Sequence, residues 1–155
     1  MRKSLQDGSV EVTIPSDLNE GQRIREVIES QLRLNHFDEK EIFGIRLALD
    51  EAIVNAIKHG NKMDGHKYVR INFRVQPERF DINITDEGNG YDPGQLPDPL
   101  ADENLERPSG RGIFLMRHYM TEVTIHAPGN RLTMCKVRKK AHLNGNSNGD
   151  ARRAM

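Results

Sequence analysis

Glu51 and Asn55 lie four residues apart in LALDEAIVNAIKHG, and Asp86 sits in ITDEGNGYDPG, which packs three acids and three glycines into eleven residues. Residues four apart stack on the same side of a helix. A carboxylate placed there could orient or take a proton, and a carboxamide oxygen could help to hold a hard cation. A carboxylate among glycines could accept a hydrogen bond from a base while the backbone passes close to the ring. Further on, Gly110 and Gly112 open the apolar run SGRGIFLM, whose first N–H groups and positive helix end would face a phosphate chain.

Each feature also has a plainer reading. Set at about 100° per residue, Ile45, Ala48, Leu49, Ala52, Ile53 and Ala56 form one broad apolar face, with Leu47 and Val54 nearly opposite. Glu51 and Asn55 fall between these sectors. They are either a solvated polar stripe or a pair beside apolar surface that needs partners, which a metal with phosphates would supply. ITDEGNGYDPG is either a hairpin turn or the floor of a nucleotide site. The stretch after it weakens the hairpin reading, because DPGQLPDPLADENLERPS, Asp92 to Ser109, has four prolines and does not turn back into a strand. Loops of that length are usually functional lids or disordered. Gly110 and Gly112 alone could equally mark a flexible loop exit. No P-loop Gly-Lys-Ser/Thr and no Rossmann Gly-x-Gly-x-x-Gly occurs. His36 and His59 suit helix ends and receive no chemistry.

The elements that must position these groups are legible from periodicity. Val10, Val12 and Ile14 alternate as in a strand that Pro15 stops. Ser16 or Asp17 can cap a helix carrying Ile24, Val27, Ile28, Leu32 and Leu34, ending near Asn35–His36. Asp38, with Glu41 three residues on, starts a second helix that should run to His59, with Gly60 as its stop. YVRINFRV and FDINITD form a hairpin around Gln76-Pro77-Glu78, and EVTIHA and NRLTMCKV form another around Pro128-Gly129-Asn130. The expected fold class is α+β, a two-layer sandwich with helices on one face of a mainly antiparallel sheet.

Composition narrows the classes further. The 155 residues, 35% hydrophobic, suffice for one domain with a real core. Residues 1–140 are read as that domain and 141–155, polar and rich in Asn and Gly, as a disordered tail. Lys plus Arg and Asp plus Glu both number 23, so no net basic field points to nucleic acid or an anionic membrane. Cys135 is the one cysteine, which excludes an internal disulfide and fits a reducing compartment. No run approaches the ~20 apolar residues of a membrane span, and MRKSLQDGSV lacks the apolar core of a signal peptide. The expected location is the cytoplasm.

Taken together and in order, the three segments resemble the Bergerat-fold ATPases, the GHKL group of gyrase, histidine kinases and mismatch-repair proteins. EAIVNAIKHG looks like the N box, DEGNGYDP the first glycine box and SGRGIFLM the second, and the likeness spans roughly Val10 to Val137. More narrowly, an ATPase domain with an early strand and the form LALDEAIVNAIKHGN is similar to the bacterial anti-sigma factor serine/threonine-protein kinases. Nothing in the sequence resembles a histidine-bearing dimerisation helix pair, a sensor domain or a transducer domain.

The resemblance implies ATP and Mg2+ as cofactors and assigns roles. Asp86 would accept from the adenine amino group, Asn55 would ligate Mg2+, and Glu51 would orient or deprotonate a serine or threonine hydroxyl. Gly88 and Gly90 would let the chain pass close to the nucleotide. Gly110 and Gly112 would close over the phosphates, and Arg111 would reach a phosphate unless it faces solvent. The implied partners are a sigma factor, sequestered in one state, and a STAS-type anti-sigma factor antagonist, phosphorylated in the other. A homodimer is implied too. The lid departs from the family in being acidic and Pro-rich, which bears on catalytic rate more than on ATP binding. The alternative function is a nucleotide-gated protein-binding module without significant kinase activity.

Overall fold

A computed structural model describes residues 2–4, 7–89 and 110–138. The chain runs through β1 (Arg2–Ser4), β2 (Val10–Pro15), α1 (Leu18–Leu34), α2 (Glu39–Val54), a π-helical turn (Asn55–Gly60), β3 (Tyr68–Gln76), β4 (Arg79–Thr85), α3 (Gly110–Tyr119), β5 (Glu122–His126) and β6 (Arg131–Val137). The strands form one six-stranded sheet in the order β1-β2-β3-β4-β6-β5, and every pairing is antiparallel.

Strand alternation sorts this sheet into two faces. Val12 pairs with Ile71, Ile71 with Ile84 and Ile82 with Met134, so one row after another turns the same apolar side towards the helices. With Ile28 and Leu32 of α1, Ile45, Leu49 and Ile53 of α2 and Met116 of α3, these residues make one continuous core. Each fully buried side chain of this size contributes on the order of 2 kcal/mol. The reverse face carries Glu11, Asn72, Asn83 and Thr133 in register. The architecture is the expected α+β sandwich.

Local signals start the helices where the sequence indicates. Asp17 caps α1 by accepting from the backbone N–H groups of Asn19 and Glu20, at 2.7 and 3.3 Å. Asp38 and Glu41 form a reciprocal capping box, at 2.7 and 3.0 Å. His36 follows the C-cap of α1 in the left-handed region, with φ of 66°.

Two elements differ from expectation. The second helix does not stay α-helical to His59: it ends at Val54 and continues as one π-helical turn. An additional strand, β1, pairs with β2 at the sheet edge. The Pro-rich stretch from Asp92 to Ser109, Gly90 and the tail 141–155 lie outside the described residues.

Candidate nucleotide site

Glu51 occupies the last turn of α2 and Asn55 the first position of the π turn. The widened turn shows in its hydrogen bonds: the N–H of Asn61 donates to the carbonyl of Ala56 at 2.9 Å, five residues back. Single π turns within α-helices occur frequently at functional sites, because the extra residue changes where the following side chains point. Both Glu51 and Asn55 are half-buried.

The start of α3 is packed directly onto this pair. A Cβ built on Gly112 would collide with Glu51 Oε1 and lie 3.6 Å from Asn55 Nδ2. Glycine lets the first turn of α3 come this close without displacing the Glu51 carboxylate. The structure therefore brings together Glu51, Asn55 and Gly112. Gly110 opens the same helix, and Arg111 is exposed on its first turn.

Asp86 follows the last residue of β4. Its carboxyl faces the end of the π turn, where a Cβ on Gly60 would overlap it. A Cβ on Gly88 would overlap the carbonyl oxygen of Gly60 in turn. The two glycines thus allow the strand end and the helix end to meet at the carboxyl. The N–H of Gly88 donates to Asp86 Oδ1 at 2.7 Å, which leaves a carboxylate further acceptor capacity for a donor from a ligand. Burial pushes the Asp86 pKa up, opposed by the Gly88 hydrogen bond and by the charge of Lys67. A carboxylate so enclosed gains from a polar partner.

Several contributors are not visible in the one-dimensional pattern. Gly60 reads as a helix stop, yet its hydrogen is needed beside Asp86. Asn130 brackets Asp86 from the β5–β6 turn: its carbonyl accepts from the Asp86 N–H at 2.9 Å and its Nδ2 donates to the Asp86 carbonyl at 3.2 Å. Asn61 holds the next residue by accepting from the Glu87 N–H at 2.7 Å. Glu87 in turn accepts from the N–H of Tyr68 at 2.6 Å, which ties the loop to the start of β3. A signal did exist, since Gly60-Asn61 and Gly129-Asn130 are both Gly-Asn pairs, but turn propensity accounts for them equally well.

The donor set suits one kind of metal better than another. Among the described residues no group of three or more His, Cys, Asp and Glu side chains gathers in a metal cage. One amide oxygen near a helix start fits Mg2+ held jointly with phosphates, since Mg2+ takes few protein ligands. Among the described residues no helix is long and apolar enough to cross a membrane.

Comparison with known proteins gives the family. Residues 14–136 match the family model described as the histidine kinase-like ATPase domain. The serine-protein kinase RsbW of Staphylococcus aureus is 31% identical over 114 residues, covering 68% of this chain and 72% of the relative. The same protein from Staphylococcus aureus strain Newman is 30% identical over the same shares. A crystal structure of the RsbU and RsbW domains of Rv1364c from Mycobacterium tuberculosis shares the fold, with a TM-score of 0.57 at 15% identity. The match covers 84% of this chain and spans about a third, 32%, of that longer one. A glycine-lined carboxylate, a Glu/Asn pair under the start of a helix and these likenesses together place the chain in the histidine kinase-like ATPase domain family, alongside the RsbW serine-protein kinases.

Proposed function

We propose that this chain is an ATP-dependent serine/threonine-protein kinase that acts as an anti-sigma factor in the cytoplasm. It phosphorylates a STAS-type antagonist and, in its other state, sequesters a sigma factor. The observation that carries this reading is the contact of Gly112 with Glu51 and Asn55, which sets the start of a helix over a carboxylate and an amide. Phosphoryl transfer needs positioning and charge neutralisation more than covalent help from the protein.

In this reading Asp86 selects adenine through its amino group, and Gly60, Gly88 and Gly90 give the base and sugar room. Asn55 would hold Mg2+ jointly with the phosphates, and the bound ion would supply charge neutralisation. Gly110 and Gly112 offer N–H groups to the phosphate chain, with Arg111 as a further cation. Glu51 receives the hydroxyl proton of the acceptor serine or threonine, so that the oxygen can bond to the γ-phosphorus as the bond to ADP breaks. A homodimer, as in the family, is part of the proposal.

The test is transfer of label from γ-labelled ATP, with Mg2+, to a STAS-type protein, with Glu51→Gln and Asp86→Asn alongside. The expected result is a labelled partner with wild type, a loss of ~100-fold or more with Glu51→Gln, and loss of ATP binding with Asp86→Asn. Tight ATP-dependent partner binding without label transfer from wild type would instead identify a nucleotide-gated binding module.

A further inference from the structure

Asn61 is the most completely enclosed polar side chain of the described residues, with 0% exposure. Its Nδ2 donates to Ser16 Oγ at 2.9 Å and to the Tyr68 carbonyl at 3.0 Å, while its Oδ1 accepts from the Glu87 N–H at 2.7 Å. Its own N–H closes the π turn on Ala56. Ser16 is itself buried and passes the chain of bonds on to the Lys67 carbonyl at 2.8 Å. One amide therefore joins the segment after β2, the start of β3, the end of the π turn and the peptide that follows Asp86.

A buried amide of this kind is stable only when its bonds are made, and once made it holds its neighbours in a single arrangement. Three contacts would serve to pack a core. The fourth feature is different: the Asn61–Glu87 bond fixes the peptide adjoining Asp86, and Asn130 fixes the other side of the same residue. The Asp86 backbone has little freedom left, and its carboxyl, bonded to the Gly88 N–H, lies against the turn that begins with Asn55 and ends with Gly60.

We propose that Asn61 is a positioning residue for base recognition: through Glu87 it sets the Asp86 carboxyl relative to the helical turn that carries Asn55, so that base reading and phosphate placement share one rigid reference. This rests on the reading of Asp86 as the adenine-binding carboxylate. Asn61 itself does not touch the nucleotide.

The test compares ATP with purine riboside 5′-triphosphate, which has the same ring system without the amino group. Affinities for both are measured by titration calorimetry on wild type, Asn61→Ala, Asn61→Ser and Asn61→Asp, with a thermal melt of each. Wild type should prefer ATP. Asn61→Ala and Asn61→Ser should lose roughly ten-fold of that preference, mostly through weaker ATP binding. Asn61→Asp retains an oxygen acceptor for Glu87 and should keep most of the preference even if it melts lower. Asn61→Ser leaves a hydroxyl for the neighbours yet is too short to reach Glu87, so it reports on the loop where Asn61→Ala does not fold.

An equal loss for both nucleotides, or an unchanged preference in the Ala and Ser variants, would reduce Asn61 to a packing residue and overturn the proposal. A wild type with no preference for ATP would instead overturn the assignment of Asp86 itself, a separate outcome.

Discussion

A hydrogen atom at Gly60 is what allows a strand end and a helix end to share the Asp86 carboxyl. Replacing it sets two effects of opposite sign against each other. Alanine favours helical backbone over glycine by about 1 kcal/mol, but its Cβ would overlap both the carboxyl carbon and its oxygens. Asn61 and Asn130 hold the backbone around Asp86, so the carboxyl must swing away from its site while the fold survives. Gly60→Ala should therefore remain folded and lose ATP affinity by ~10-fold or more, a loss of 1.4 kcal/mol per decade. Calorimetric titration with ATP checks this, and an unaltered Kd would separate Gly60 from the base site. The same contrast explains what the sequence discloses at this scale. Glu51, Asn55, Asp86 and Gly112 stand out because residue type and local spacing carry their meaning. Gly60 and Asn61 do not, because their constraint comes from residues far along the chain and a helix stop explains them locally.

At the scale of elements, α3 is the part whose placement matters most, and a glycine lets it meet α2 closely near each end. At one end Gly112 lies on Glu51; at the other Tyr119 lies over Gly44, where a Cβ would come within 2.6 Å of Tyr119 Cδ1 and 3.2 Å of Cγ. Phe43 meets the Tyr119 ring edge-on at a centroid distance of 6.4 Å, so the ring has an aromatic wall on one side. These atoms lie near the base of the Tyr119 side chain and cannot rotate away cheaply. Gly44→Val should cost ~1–3 kcal/mol through overpacking. It should also tilt α3, which would lower kcat for phosphoryl transfer more than nucleotide affinity, since Asp86 is not on this contact. Urea unfolding and kinetics on the same variant check both parts; a destabilised protein with undiminished kcat would show that the Tyr119 contact does not set the active position of α3. Element boundaries were legible wherever a cap or an alternation exists, as with Asp38 and Glu41 or Tyr68 to Thr85. β1 was not, because Arg2, Lys3 and Ser4 show no apolar alternation, and a short charged strand is what a protected sheet edge looks like. Nor was the π turn, since one extra residue per turn leaves Ala56 and Ile57 buried on nearly the same face.

For the molecule as a whole, a balance of 23 basic and 23 acidic residues hides a local concentration of charge between the first two helices. Glu29, buried, accepts from Arg46 at 2.9 and 3.2 Å and from Arg25, with Arg33 at 3.9 Å. Arg25 also pairs with Asp50 at 2.7 Å and Arg33 with Glu39 at 2.9 Å. Composition predicts neutrality; it does not predict that three guanidinium groups converge on one carboxylate and lock α1 to the helix that carries Glu51. Burial alone would push the Glu29 pKa up, but the hydrogen bonds and charges of Arg46 and Arg25 outweigh it and hold the group below the usual range. A carboxylate lowered on folding stabilises the native state fully above its unfolded value, about 4.3, and loses that contribution as pH falls through the lower folded value. Asp50 and Asp86, both pushed up mainly by burial, act in the opposite sense and gain relative stability as they protonate. Wild-type acid unfolding therefore mixes the two signs, and the difference between wild type and Glu29→Gln isolates one. That difference should be ~1–3 kcal/mol near neutral pH, because Arg46 loses its carboxylate and the hydrogen bonds to it become neutral, while Arg25 and Arg33 keep Asp50 and Glu39. It should hold steady down to about pH 5 and shrink below about pH 4.5, where the carboxylate of the unfolded wild type takes up its proton before the folded one does. Urea unfolding of both proteins across this range reads it directly, and a gap that stays constant to pH 3 would mean that Glu29 joins the helices by shape and not by charge.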